Sequence, residues 1–584
     1  MTSTGAIRQE GFGPAGAAPA PKKESTLGWI RQHKEELALL RTVAIFMVIA
    51  SMSHVVRPVI AGIMGVIFLR TTLKRPDLGV CMVMLYLVAP PLIETKSLLG
   101  IPGLNPDSVM MLILLWVARQ RSLARMARLN AEGLPPRPRP NPLALPLLTF
   151  MGLVILSCAI TPFSSGYEFF AALINAKAFL TFMLMIFVVV WGMETEQEKI
   201  AVFAGFLCTL AFLTGFGLRD TIVHFGSARF RLDTFFGQAN EVGGFLAMYV
   251  VFVISALLAP SIAKKYKTLL IPLLFTTAVS LTFTLSRGSI IGAAAGFVVM
   301  GLIYSRKLLV IGLIAGCTYQ IWMPERLIQR FLETTEDVDA NSAYGLDGST
   351  EVRLKQWGGV PEMVSDSPLL GHGFCSFPYI YRNRVSGKLK AAHSSWIEIL
   401  VEQGILGLGA VMWLLAIVAL LAWRVMKKGK GVLAETLGPG MLACVAVILA
   451  VNCVGDRLHN PIINAYFWAL CGLLVLEHNK LTQGVALAAA PVTAGEGGPS
   501  QSVTGFFPAS GGVAARAAAG LPATAAQGEV GLRSDSLAGF FPARAPASTG
   551  NPEGNGRDGA RPDDHLARDP SLSSFLRPAT RPPQ

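Results

Sequence analysis

The sequence predicts an all-α, polytopic integral membrane helical bundle of about 12–14 transmembrane helices, with one long loop and disordered termini. Three observations carry that reading. Of 584 residues, 52% are hydrophobic and only 15% charged. The mean hydropathy is +0.51. Apolar runs of about 18–20 residues recur along the chain, as membrane spans require. The net charge of +13 fits a membrane protein whose Lys and Arg collect in cytoplasmic loops better than it fits a nucleic-acid binder.

Taken in order, residues 1–36 are rich in Gly, Ala and Pro and read as a disordered, cytoplasmic N-terminus. Apolar runs at 38–53, 55–70, 78–93, 107–118, 143–160, 170–192, 199–218, 240–260, 268–285, 289–305 and 307–321 build a bundle over 37–321. A long loop occupies 322–395. Runs at 396–424, 436–455 and 461–477 supply the C-terminal helices of 396–480. From 481 to 584 the composition turns to Ala, Gly, Pro and Ser, which cannot bury a core and reads as a disordered cytoplasmic tail. GFFPA occurs there twice, at Gly505–Ala509 and Gly539–Ala543.

Loop charge sets the expected orientation. Basic clusters stand at Arg70–Lys74–Arg75, from Arg119 to Arg139, at Lys264–Lys265–Lys267, at Arg306–Lys307 and at Lys427–Lys428–Lys430. An even number of spans separates them, so all can face the cytoplasm together. The turn at Ser286–Ser289, the loops near Arg219–Glu241 and the 322–395 loop then face outward. Of eight Cys, only Cys375 lies outside an apolar run, which gives neither a disulfide framework nor metal-ligand spacing. Asp337-x-Asp339-x-Asn341 begins like an EF-hand, but Ser342 stands where Gly is needed and Gly348 where Glu must close the loop. Nucleotide and hydrolase motifs are missing too, so no cofactor or metal is expected.

The candidate chemistry lies at the outer ends of spans. Arg287 opens a helix with Gly288, Gly292 and Gly296 at four-residue spacing, a small face suited to close packing. It reads either as a snorkelling arginine or as a fixed charge that joins the helix dipole in holding phosphate. Arg353 precedes Trp357 in the long loop, and His393 precedes Ser394 and Ser395 where a helix starts. Either serine is a candidate cap. The histidine reads as a polar cap residue or as a neutral imidazole able to accept a proton. Arg219, Arg229, Arg231, Arg382 and Arg384 are further candidates for substrate binding, and Lys177 interrupts the apolar run 170–192.

Together these pieces resemble a family. SRG opening a span, an Arg-x-x-x-Trp element from Arg353 to Trp357, PLLGHGFCSF, and His393 followed by IEILVEQGILGLG are similar to the O-antigen ligase and polymerase superfamily, over about 219–425. The resemblance implies a metal-independent, inverting glycosyltransferase of GT-C-like architecture in the bacterial inner membrane, acting in lipopolysaccharide or exopolysaccharide synthesis. It would take a glycan from undecaprenyl diphosphate on the periplasmic face. A ligase passes the glycan to the lipid A core; a polymerase passes it to another lipid-linked repeat unit. Arg287 and Arg353 match the family's arginines and His393 its histidine, with Ser394 where the family usually has Asn. The competing class is a transporter, although transporters usually place ionisable residues at mid-membrane. A non-catalytic assembly scaffold is a further alternative, supported only by the tails.

Overall fold

The computed structural model describes residues 57–89, 104–133, 138–225, 227, 230–336, 348–386 and 391–488, together with positions 38, 41, 42 and 45. The expected disordered N-terminus, most of run 38–53, Arg229, the acidic stretch 337–347 and everything after Ala488, both GFFPA repeats included, lie outside the described residues. Among the described residues every regular element is helical.

The first part of the bundle comprises α1 (Arg57–Lys74), α2 (Pro76–Val88), α3 (Pro106–Ala131), α4 (Ala144–Ser165), α5 (Phe169–Thr181), α6 (Met185–Gly192) and α7 (Glu196–Val223). Prolines open α2 and α3, where a missing N–H leaves no bond unmade. A capping box starts α7: the Glu198 amide donates to Thr195 Oγ1 at 3.2 Å and the Thr195 amide to Glu198 Oε2 at 3.1 Å. The second part adds α8 (Ala239–Leu258), α9 (Lys264–Phe283), α10 (Arg287–Ile303), α11 (Lys307–Cys317) and the short α12 (Tyr319–Trp322). The described residues of 322–395 form α13 (Glu325–Glu336), α14 (Gly348–Gly358), α15 (Val360–Asp366) and α16 (Phe377–Tyr381). The last helices are α17 (Ser395–Lys428), α18 (Val432–Val451) and α19 (Pro461–Ala488), the last running past the expected boundary at 480.

Among the described residues eight helices, with α5 and α6 joined as one, are long and apolar enough to cross a membrane, so the chain is a multi-pass membrane protein. Hydropathy expects more spans because it does not measure helix length: α10 and α11 are apolar but only 17 and 11 residues long. Faces carrying Phe163, Ile271, Phe275, Leu302 and Leu313 remain exposed, as lipid-facing surfaces do.

The interior is closed by α19, the most enclosed span, against α6, α17 and α18. Its Tyr466 hydroxyl donates to the Met84 carbonyl at 2.8 Å, and Tyr249 on α8 donates to the Ile463 carbonyl at 2.8 Å. Both hydroxyls are thereby satisfied in a region without water. The glycine face of α10 packs on α18: a Cβ at Gly292 would stand 2.2 Å from Val451 Cγ1, and one at Gly296 would stand 2.5 Å from Val447 Cγ2.

Helix α17 breaks at Gly404, whose φ of 66° and ψ of −167° are accessible only to glycine. The break frees backbone groups, and the 368–373 segment takes them up. Amides of His372 and Gly373 donate to the Val401 and Glu402 carbonyls at 2.9 and 2.8 Å. In return the Ile405 and Leu406 amides donate to the Pro368 and Leu369 carbonyls at 2.9 and 3.3 Å. The Glu402 carboxylate accepts from the Cys375 and Phe377 amides at 2.9 and 3.1 Å. The SPLLGHGFCSF and EQGILG sequences are thus two halves of one seam.

Candidate active site

The seam carries α17 outward to its first residue, and His393 stands two residues before it. His393 adopts φ 53°, in the left-handed region that non-glycine residues seldom enter. Its neighbours hold it there. The Trp357 Nε1–H of α14 donates to the Ala392 carbonyl at 2.9 Å. The Ser395 amide donates to the Gly455 carbonyl at 3.1 Å and its hydroxyl to Asn452 Oδ1 at 2.9 Å. Ser394 occupies the N-cap position, but its hydroxyl does not cap: it donates to the Asn452 carbonyl at 3.2 Å. The serines therefore staple the start of α17 to the turn between α18 and α19, which corrects the expectation of a serine cap.

That turn, 452–460, supplies the groups that sequence reasoning missed. Asp456 Oδ2 lies 3.9 Å from His393 Nδ1, and both side chains are partly accessible. Burial pushes the Asp456 carboxyl up, while His393, Arg457 and Arg353 pull it back. Arg457 is enclosed by its neighbours: a Cβ at Gly244 would stand 2.5 Å from its Cδ. Its Nε donates to the Asn240 carbonyl at 3.2 Å. Burial lowers its guanidinium to about 10, with Arg353 adding to the effect and Asp456 and Glu241 opposing it. His459, buried against Phe179 at 4.9 Å between ring centroids, lies 3.7 Å from Glu398 Oε2, and burial lowers it to about 4. The available signal was a charged pair, Asp456-Arg457, in the short turn between two apolar runs.

The structure places the expected residues unequally. Arg353 sits on α14 in the electrostatic range of Asp456 and Arg457. Arg287 is the first residue of α10. A Cβ on the following Gly288 would stand 2.6 Å from Val454 Cγ2 and 3.7 Å from Arg457 Nη2, so Arg287 borders the same turn. Arg231 donates to the Thr284 carbonyl at 3.2 Å and to Asn240 Oδ1 at 3.1 Å, which ties it to the approach of α10 and to the residue that Arg457 holds. Arg384 pairs with Asp366, Arg382 lies over the Tyr379 ring at 5.5 Å, and exposed Arg219 pairs with Asp220 at 3.6 Å. Lys177 is engaged elsewhere: it donates to Ser108 Oγ at 2.6 Å and lines a largely apolar cavity of about 800 Å³ between α3 and α5. No group of His, Cys, Asp and Glu among the described residues has the arrangement of a metal site.

Fold and site together describe an all-helical, multi-pass membrane protein in which arginines and a His–Asp pair gather where helix ends meet. Residues 272–412 match the family model described as O-Antigen ligase, which assigns that segment to the O-antigen ligase and polymerase superfamily. The matched segment contains Arg287, Arg353 and His393; Asp456 and Arg457 lie beyond it. No curated protein matches the chain.

Proposed function

We propose that the chain is a glycosyltransferase of the O-antigen ligase type, moving a glycan from undecaprenyl diphosphate to a lipid A core acceptor at the periplasmic face of the inner membrane. The observation that carries this reading is the His393–Asp456 pair, 3.9 Å apart, beside Arg353 and Arg457. Arg287 and Arg353 hold the donor diphosphate and stabilise the charge that grows on it as the glycosidic bond breaks. Arginine suits the task because it keeps its charge and presents a fork to phosphate oxygens. Asp456 favours the tautomer of His393 with Nδ1 protonated, leaving Nε2 to take the acceptor hydroxyl proton. The acceptor oxygen then bonds to the anomeric carbon as the carbon–oxygen bond to the diphosphate breaks. Attack from the face opposite the leaving group inverts that carbon. These steps require neither a nucleotide nor a divalent metal.

The test is transfer by purified protein in detergent from a lipid-diphosphate glycan, without nucleotide or metal. Lipid A core and a second lipid-linked repeat unit are offered in parallel, so that ligase and polymerase are separated by the acceptor used. His393→Ala should lower turnover by about 10²–10⁴-fold while sparing donor binding. Arg287→Lys should recover only part of what Arg287→Ala loses. Full activity of both His393→Asn and Arg287→Lys would overturn the site. Absence of transfer, with substrate-dependent flux in liposomes, would favour a transporter.

A further inference from the structure

Helix α13 follows the apolar hairpin of α10 with α11 and α12, and Pro324 turns the chain into it: the Leu327 and Ile328 amides donate to the Pro324 carbonyl at 2.8 and 3.2 Å. Its sequence, ERLIQRFLETTE, gathers Leu327, Ile328, Phe331 and Leu332 on one narrow face and sets charged and amide residues on the other. Leu327 is fully buried and the helix packs on α10, yet Leu332 is 45% exposed. The helices that directly precede it in the chain, α11 and α12, also expose apolar residues, Ile311, Ile314 and Ile321. On the polar side Arg326 donates to the Ser227 carbonyl, and Glu325 and Gln329 are exposed.

We infer that α13 lies in the plane of the membrane interface, with its Leu332 edge in the boundary between headgroups and acyl chains. The occupant of this face is the lipid surface itself. Its position argues for it: only Met323 and Pro324 separate α13 from α12, whose Ile321 is exposed, so one leaflet can cover both. Through Arg326 the helix also holds Ser227, four residues before Arg231 in the chain, so α13 sets the depth at which Arg231 meets a lipid-borne phosphate.

The experiment places an environment-sensitive fluorophore on Leu332→Cys and, separately, on Gln329→Cys and Glu362→Cys in the full chain. The protein is held in bilayer discs of phosphatidylethanolamine and phosphatidylglycerol carrying a nitroxide near the headgroup. Signal from the exposed native thiols of Cys208, Cys317 and Cys453 is subtracted using the labelled parent. Quenching at Leu332 should be about twofold or more that at Gln329 and at Glu362. Equal quenching at Leu332 and Gln329, or quenching at Leu332 no greater than at Glu362 on α15, overturns the inference.

Discussion

At the scale of single residues, His393 depends on a strained backbone that its surroundings over-determine. A left-handed φ of 53° is held by Trp357, Ser394 and Ser395. Asp456 gives the sharpest test. Asp456→Asn keeps the shape of the carboxylate and removes its charge, so turnover should fall on the order of 10²-fold with donor KM unchanged. The pH profile of transfer should also move, which loss of packing alone would not produce. Gly404→Ala should be far more damaging to the fold: its Cβ would stand 2.3 Å from the Leu369 carbonyl carbon, at a φ and ψ that alanine does not adopt. A loss on the order of 3 kcal/mol or more, read from thermal unfolding in detergent, is expected. Arg353 and His393 were legible in the sequence because each sits in a recognisable string. Asp456 was not, because its role comes from a turn folding back on a helix start more than sixty residues earlier in the chain.

At the scale of elements, the glycine stripe of α10 was legible from spacing alone, and its partner was not. Four-residue spacing says that something approaches closely; only the fold says that it is α18, through Val447 and Val451, and the turn after it, through Val454. Gly292→Val should therefore cost about 1–3 kcal/mol by overpacking, measured as earlier thermal unfolding, whereas the same change at Gly409, with open space around it, should be nearly neutral. A second element-level test uses the 452–460 turn. His459 has an ordinary value of 6.5 and is lowered to about 4 by burial, so the unfolded chain takes the proton first. Its contribution to stability is whole above about 6.5 and is lost as pH falls toward about 4. His459→Phe keeps the ring packing against Phe179 and Phe374 and removes the titration. Thermal unfolding of that variant should therefore fall less over this pH window than that of the parent.

At the scale of the whole molecule, chain order carries the argument. Successive spans alternate direction, so the ends at 264–267, 306–307 and 427–430 lie opposite the ends that bear Arg287, His393 and Asp456. If the basic ends are cytoplasmic, an impermeant thiol reagent on intact spheroplasts should label Glu362→Cys above the parent background and leave Lys428→Cys unlabelled. The reverse pattern would turn the site inward and remove it from a periplasmic donor. Hydropathy could reveal the alternation because charge and apolarity are additive along the chain. It could not reveal the helices within 322–395, since α13 to α16 are short and leave no long apolar run.

The seam at Gly404 has a consequence for how such a molecule can change over time. Its two strips of chain recognise each other through peptide groups, at Val401, Glu402, Ile405 and Leu406 on one side and at 368–373 on the other. Peptide groups are the same whatever side chain they carry, and Leu369 and Leu370 present theirs outward. The contact therefore places few demands on residue type beyond the glycines at 371, 373 and 404, whose backbones approach too closely for any Cβ. Other residues at 368–370, with those glycines and Glu402 kept, should therefore leave the seam closed and thermal unfolding in detergent nearly unchanged.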